Sequence, residues 1–137
     1  MKSAKIVLLC MASAVFYGNC HDQVTARVCV EYFTVGHRPP FSSESPTLLA
    51  LFFGTMATWW VGLILGVLAA LVSRAGSWPK FGAADLIRPI GCLLVVTAVV
   101  SVVAGVTGYE LGRASGFVLP DPLGSRIAVD RHNLFFC

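Results

Sequence analysis

Charge is scarce in this sequence. Only 12% of its 137 residues are Asp, Glu, Lys or Arg, against about 25% in an ordinary soluble domain. With 56% hydrophobic residues and a mean hydropathy of +0.77, a water-soluble fold of this length would expose apolar surface that no small core could absorb. The formal net charge is +3 and the basic residues are dispersed, which argues against a nucleic-acid partner. Other signals are also missing. The five cysteines (Cys10, Cys20, Cys29, Cys92, Cys137) form no CxxC pair and are odd in number, so neither a disulfide framework nor zinc-ligand spacing is present. Cys10 and Cys92 sit inside apolar runs, where a thiol acts as a small hydrophobe. There are no internal repeats, no low-complexity tracts and no nucleophile beside a base. No catalytic residue, cofactor or metal ligand is expected.

What the sequence does have is long uncharged runs. Leu48 to Val72 is twenty-five residues without a charge, about 37 Å as a helix, enough for a ~30 Å hydrocarbon core. Thirteen of them are Leu, Ile, Val or Phe, favouring insertion by about 4–8 kcal/mol on a biological scale. Ile90 to Leu111 contributes eleven Leu, Ile and Val, roughly 3–6 kcal/mol by the same count. Its one charge, Glu110, lies in the last turn, with Arg113 three residues on. Upstream, Gly82 and Asp85 have the spacing of an N-terminal cap, which places Pro89 inside the helix as a candidate kink.

The N-terminus has two readings. Lys2 and Lys5 precede the apolar Ile6–Tyr17 stretch, the layout of a secretory signal. Cutting after Ala12-Ser13-Ala14 would leave too short an apolar core, and Tyr17-Gly18-Asn19 before Cys20 is a poor lipobox. The favoured reading is an uncleaved first span over 5–23, continuing as a helix to 35 and stopped by Gly36 and Pro39-Pro40. The β-branched content of Val24 to Val35 leaves a strand as the alternative there. The expected organisation is one all-α domain: spans at 5–23, 48–72 and 89–111, an outer segment 24–47, a cytoplasmic loop 73–88 and an outer tail 112–137. The closing Leu134-Phe135-Phe136-Cys137 reads as the opening of a fourth apolar helix cut short, with a short interfacial anchor as the alternative.

Orientation follows the basic residues. Lys2, Lys5, Arg74, Lys80 and Arg88 place the N-terminus and the 73–88 loop in the cytoplasm. Arg113, Arg126 and Arg131 in the tail argue the other way.

In lipid, small residues that permit close backbone approach mark contact faces. The second span carries Ala50, Gly54, Thr58, Gly62, Gly66 and Ala70. The third carries Thr97, Ser101, Ala104, Gly105, Gly108 and Gly112. The expectation is a small transmembrane bundle in which these two faces meet as a hairpin, with a homo-oligomer or membrane-partner face as the alternative.

The polar candidates lie in His21–His37. On a helix His21, Thr25, Val28 and Tyr32 share a face, and Arg27 and Glu31 can pair at i, i+4. His21, Asp22, Glu31 and His37 are the candidates for an outer-face metal or proton site, though their spacing matches no motif such as HExxH. The competing view is a solvated stalk. Cys20 and Cys29 would stand about 13 Å apart on a continuous helix, too far to bridge. Trp59 and Trp60, at mid-span, read as bulk packed against the first helix or as a sign that the span is shifted relative to 48–72, with ligand stacking as the alternative.

The His21–His37 phrase with the Pro-rich turn after it, the Ala57–Leu63 block (Ala-Thr-Trp-Trp-Val-Gly-Leu) and the Asp85–Ile90 block (Asp-Leu-Ile-Arg-Pro-Ile) resemble a group of uncharacterised bacterial polytopic membrane proteins. The resemblance runs over most of the chain. It implies a bacterial inner membrane and a further helix after Arg131-His132, and supplies no activity or catalytic residue. The function expected is a non-enzymatic accessory or assembly component. A transporter or membrane enzyme built on His21, Asp22, Glu31 and His37 is the competing class.

Overall fold

The computed structural model describes residues 2–75 and 80–136. Three long helices dominate: α1 Lys2–Val28, α2 Pro46–Val72 and α3 Ala83–Ser115. All three are long and apolar enough to cross a membrane, and no strand occurs among the described residues. The chain is an all-α helical bundle. Of the connection between α2 and α3, residues 76–79 lie outside the described residues, so the expected cytoplasmic loop is seen only in part.

Local chemistry sets the ends. Pro46 opens α2, where its fixed φ suits a helix and its missing N–H costs nothing. The Asp85 carboxylate accepts from the Gly82 N–H at 2.8 Å and caps α3, as the sequence spacing predicts. At the far end Gly116, at φ +64, takes the left-handed conformation open to a residue without Cβ, and the Phe117 N–H closes on the Gly112 carbonyl at 3.0 Å. α1 stops at Val28, and a short π-helical turn, Tyr32–Gly36, follows a break. The chain from 24 to 35 is therefore neither one unbroken helix nor a strand.

The helices meet in an unexpected pairing. The Gly54–Gly62–Gly66 stripe of α2 faces α1, not α3. A Cβ on Gly62 would lie 2.6 Å from Met11 Cα, and one on Gly66 2.8 Å from Val7 Cα. One on Gly54 would meet the Asn19 backbone at 2.8 Å, while Gly18 of α1 sits against Thr58. These pairs run in opposite directions along the two chains, so α1 and α2 are antiparallel with backbones in direct contact. Thr55 Oγ1 donates to Asn19 Oδ1 at 3.3 Å across the seam.

The expected contact between the glycine faces of α2 and α3 is not formed. α1 carries its own small face (Cys10, Ala14, Gly18) at a spacing of four, and the glycines of α2 meet it there. α3 lies on the other side of α1 instead, tied by the Tyr17 hydroxyl and Ser101 Oγ at 2.9 Å. Among its residues only Gly112 is buried, and that glycine faces Asn133. Trp59 and Trp60 stand 41% and 49% exposed. They are not packed against α1 as expected, but occupy the outward side of α2.

Side-chain burial concentrates at one end, called distal here, where α1 and α3 finish and α2 begins. Ala26, Phe33, Leu49 and Ala50 form a buried cluster with Val30, Tyr32, Phe41 and Phe53 around it. Along the spans the glycine seam takes the place of a core, because lipid supplies the apolar surroundings.

Gly62→Leu must push α1 off α2, since the obstruction is backbone. We expect a loss exceeding the ~1–3 kcal/mol of ordinary overpacking in SDS unfolding of the purified protein. Ala57→Leu, on the exposed side of the same helix, should change stability by less than about 0.5 kcal/mol.

Candidate functional site at the distal end

Two segments fold over the distal end: residues 29–45, between α1 and α2, and residues 117–136 after α3. Arg131 ties the tail to the end of α1 and the segment after it, and His132 holds the tail's own turns. Arg131 pairs with Glu31 at 2.9 Å and donates to the Val28 carbonyl at 3.2 Å, satisfying an orphan acceptor at the end of α1. His132 is 1% exposed. Its Nδ1 accepts from the Leu119 N–H at 3.1 Å, and Nε2 lies 3.0 Å from the Ile127 carbonyl. That pattern assigns the proton to Nε2, which donates to the carbonyl. His132 is a pin holding the tail's own turns together, with both ring nitrogens engaged.

The four sequence candidates do not converge. His21 Nδ1 lies 3.3 Å from Asp22 Oδ1 on α1. Glu31 is engaged by Arg131 and lies 3.6 Å from the Cys29 thiol. His37 Nδ1 sits 3.0 Å from the Tyr32 carbonyl, its ring beside those of Tyr32 and Phe53. Among the described residues no three His, Cys, Asp or Glu side chains are grouped to hold a metal. The expected Arg27–Glu31 pair is also absent. Because α1 ends at Val28, Glu31 leaves the helical register, and Arg27 bonds Gln23 and Thr47 instead.

Cys29 is buried, and that burial pushes its thiol up, with the neighbouring Glu31 carboxylate adding to the effect. A thiol held protonated is a poor nucleophile, so Cys29 belongs to the packing of the cap. Cys20 and Cys29 are both free.

The second feature is a cleft of about 560 Å³ between α1 and α3. His21, Thr25 and Val28, the face anticipated from helical spacing, form one wall. Ala98, Ser101 and Gly105 form much of the other, and Leu134 of the tail closes on it. The Gly105 face of α3 thus lines a space. The roles of Arg131 and His132 could not be read from sequence, since their partners are a residue a hundred positions away and two backbone groups. Ser101 stood in the small-residue stripe of α3, but nothing in the sequence linked it to Tyr17.

Comparison with protein-family models, with curated protein sequences and with solved structures finds no match to this chain.

Replacing His132 by Leu strands the Leu119 N–H and the Ile127 carbonyl, at about 1–3 kcal/mol each. Tryptic cleavage at the exposed Arg126 should accelerate at least about tenfold, while Val129→Ala, on an exposed side chain, leaves the rate unchanged.

Proposed function

We propose that this multi-pass membrane protein is a non-catalytic accessory or assembly component of a bacterial cytoplasmic membrane, with its N-terminus in the cytoplasm. One observation carries the reading. α3 is tethered along a single line to α1 and leaves Val95, Val96, Val99, Val100 and Val103 between 58% and 64% exposed. A span that contributes so little to its own bundle is suited to packing against a second membrane protein, because van der Waals contact between helices is what drives association in lipid.

The antiparallel packing of α1 and α2 sorts the charges by end. The proximal end holds Lys2, Lys5, Arg74, Lys80 and Arg88 with Asp85 as its acid. The distal end holds as many basic residues, all of them arginine, but six acids, and Arg113 and Arg131 are engaged by Glu110 and Glu31. Lys2 and Lys5 stand directly before the first span, and basic residues flanking the first span usually dominate orientation, which supports placing the proximal end in the cytoplasm. Alkaline phosphatase joined after Gly116 should be active and the same enzyme joined after Ala75 inactive; the reverse pattern overturns the orientation.

The competing reading, a transporter or enzyme using His21, Asp22, Glu31 and His37, loses support because the four do not converge: His21 and Asp22 pair with each other, Glu31 with Arg131, and His37 lies beside the Tyr32 carbonyl. The two readings divide on one experiment in the native host. Val99→Phe and Val103→Phe should abolish stoichiometric co-purification of a membrane partner while the protein still folds. Alanine at Asp22 and at His37, which neither hold the tail nor line the cleft, should leave both partner and growth intact. Loss of growth from those alanines, with folding and partner unaffected, would establish the enzyme or transporter instead.

A further inference from the structure

The α1–α3 cleft goes beyond the accessory role and does not depend on it. Its volume of about 560 Å³ falls within the roughly 300–1,000 Å³ of small-molecule sites. The cause of the space is visible. Ala98, Ser101 and Gly105 present little bulk toward α1, and the Tyr17 ring, bonded through its hydroxyl to Ser101 at 2.9 Å, props the helices apart.

The walls are almost wholly apolar, and the side chains at the rim, Val24, Val102 and Val106, are 64%, 66% and 59% exposed. At membrane depth such a space holds no water. A hydrocarbon chain is the complementary filling, and the bilayer supplies it.

The polar atoms in the cleft narrow the occupant further. The Tyr17 and Thr25 hydroxyls are occupied, by Ser101 and by the His21 carbonyl. His21 Nδ1 is turned to the Asp22 carboxylate at 3.3 Å, which makes Nδ1 the donor; in the neutral ring Nε2 is then an acceptor. Nε2 and the Tyr109 hydroxyl make no hydrogen bond among the described residues, and both residues line the cleft. A donor on the ligand would answer the first, and either a donor or an acceptor the second.

We propose that the cleft between α1 and α3 binds one lipid chain bearing a hydroxyl-containing, uncharged head, with the chain against Ala98, Gly105 and Val102 and the head hydrogen-bonded to His21 and Tyr109.

The test uses the full-length protein in mild detergent, titrated with monooleoylglycerol, whose head is a diol, or with methyl oleate, which lacks a donor. Binding is read by native mass spectrometry. Wild type should take up one monooleoylglycerol per chain and prefer it to methyl oleate about tenfold. His21→Ala should erase the preference, and Ala98→Leu with Gly105→Leu should remove binding of both probes. Val67→Leu, on α2 away from the cleft, should change nothing. Equal uptake of the two probes by wild type, or undiminished uptake by the filled-cleft variant, overturns the proposal.

Should the double variant fail to fold, the wild-type cysteines give a second readout. Alkylation of Cys20, which lines the cleft, should slow when monooleoylglycerol is added. Cys92, exposed on α3 outside the cleft, should react at an unchanged rate. No slowing at Cys20, or equal slowing at both, counts against the site.

Discussion

The contact between the backbones of α1 and α2 is the interaction on which the rest of the molecule depends. Lipid gives two apolar helices no hydrophobic reason to associate, so van der Waals contact and a few hydrogen bonds must hold them. That requires Cα-to-Cα approach, and Gly54, Gly62 and Gly66 on one side with Gly18 on the other permit it. Once the two helices are clamped, the end of α1 and the start of α2 lie together. The Ala26–Leu49–Ala50 cluster can then form beneath Phe33, and the distal segments have a surface to fold onto. The tail docks last in this hierarchy, since Arg131 needs both Glu31 and the Val28 carbonyl in place.

The sequence disclosed the spans because hydropathy over twenty residues is a strong signal that tertiary structure cannot override in lipid. It also disclosed that the small residues of α2 form a contact stripe. Which helix receives that stripe was not legible. Gly54, Gly62 and Gly66 mark a face but carry no address, and neighbours in sequence are the natural assumption for a hairpin. The address lies in Cys10, Ala14 and Gly18, a shorter stripe in a segment with the layout of a secretory signal. Trp59 and Trp60 misled for a related reason: bulk at mid-span suggests packing, yet the close α1–α2 seam leaves no room for indole rings.

The polar candidates show a different limit. His21, Asp22, Glu31 and His37 are close in sequence, and on an unbroken helix they would form one patch. The helix ends at Val28, so Glu31 turns toward the tail and His37 toward the Tyr32 carbonyl. A break of three residues scattered the set. His132, which lies in the expected outer tail, is 1% exposed and the most buried of the three histidines. Its partners are main-chain groups of Leu119 and Ile127, and backbone partners leave no trace in side-chain spacing.

α1 is therefore asked to serve two neighbours in opposite ways. Toward α2 it offers small residues and is gripped without gaps. Toward α3 it offers Tyr17, His21 and Val24, and the result is a tether with a space beside it. The same residue class, glycine and other small side chains, has contrary effects on the two helices. On α2 it removes the obstruction between backbones that meet. On α3 it removes the filling between helices that a tyrosine holds apart. A small-residue stripe in a membrane helix thus specifies either a contact or a cavity. The partner's side chains at the same level decide which: Ala14 and Gly18 make a seam, Tyr17 and His21 a cleft.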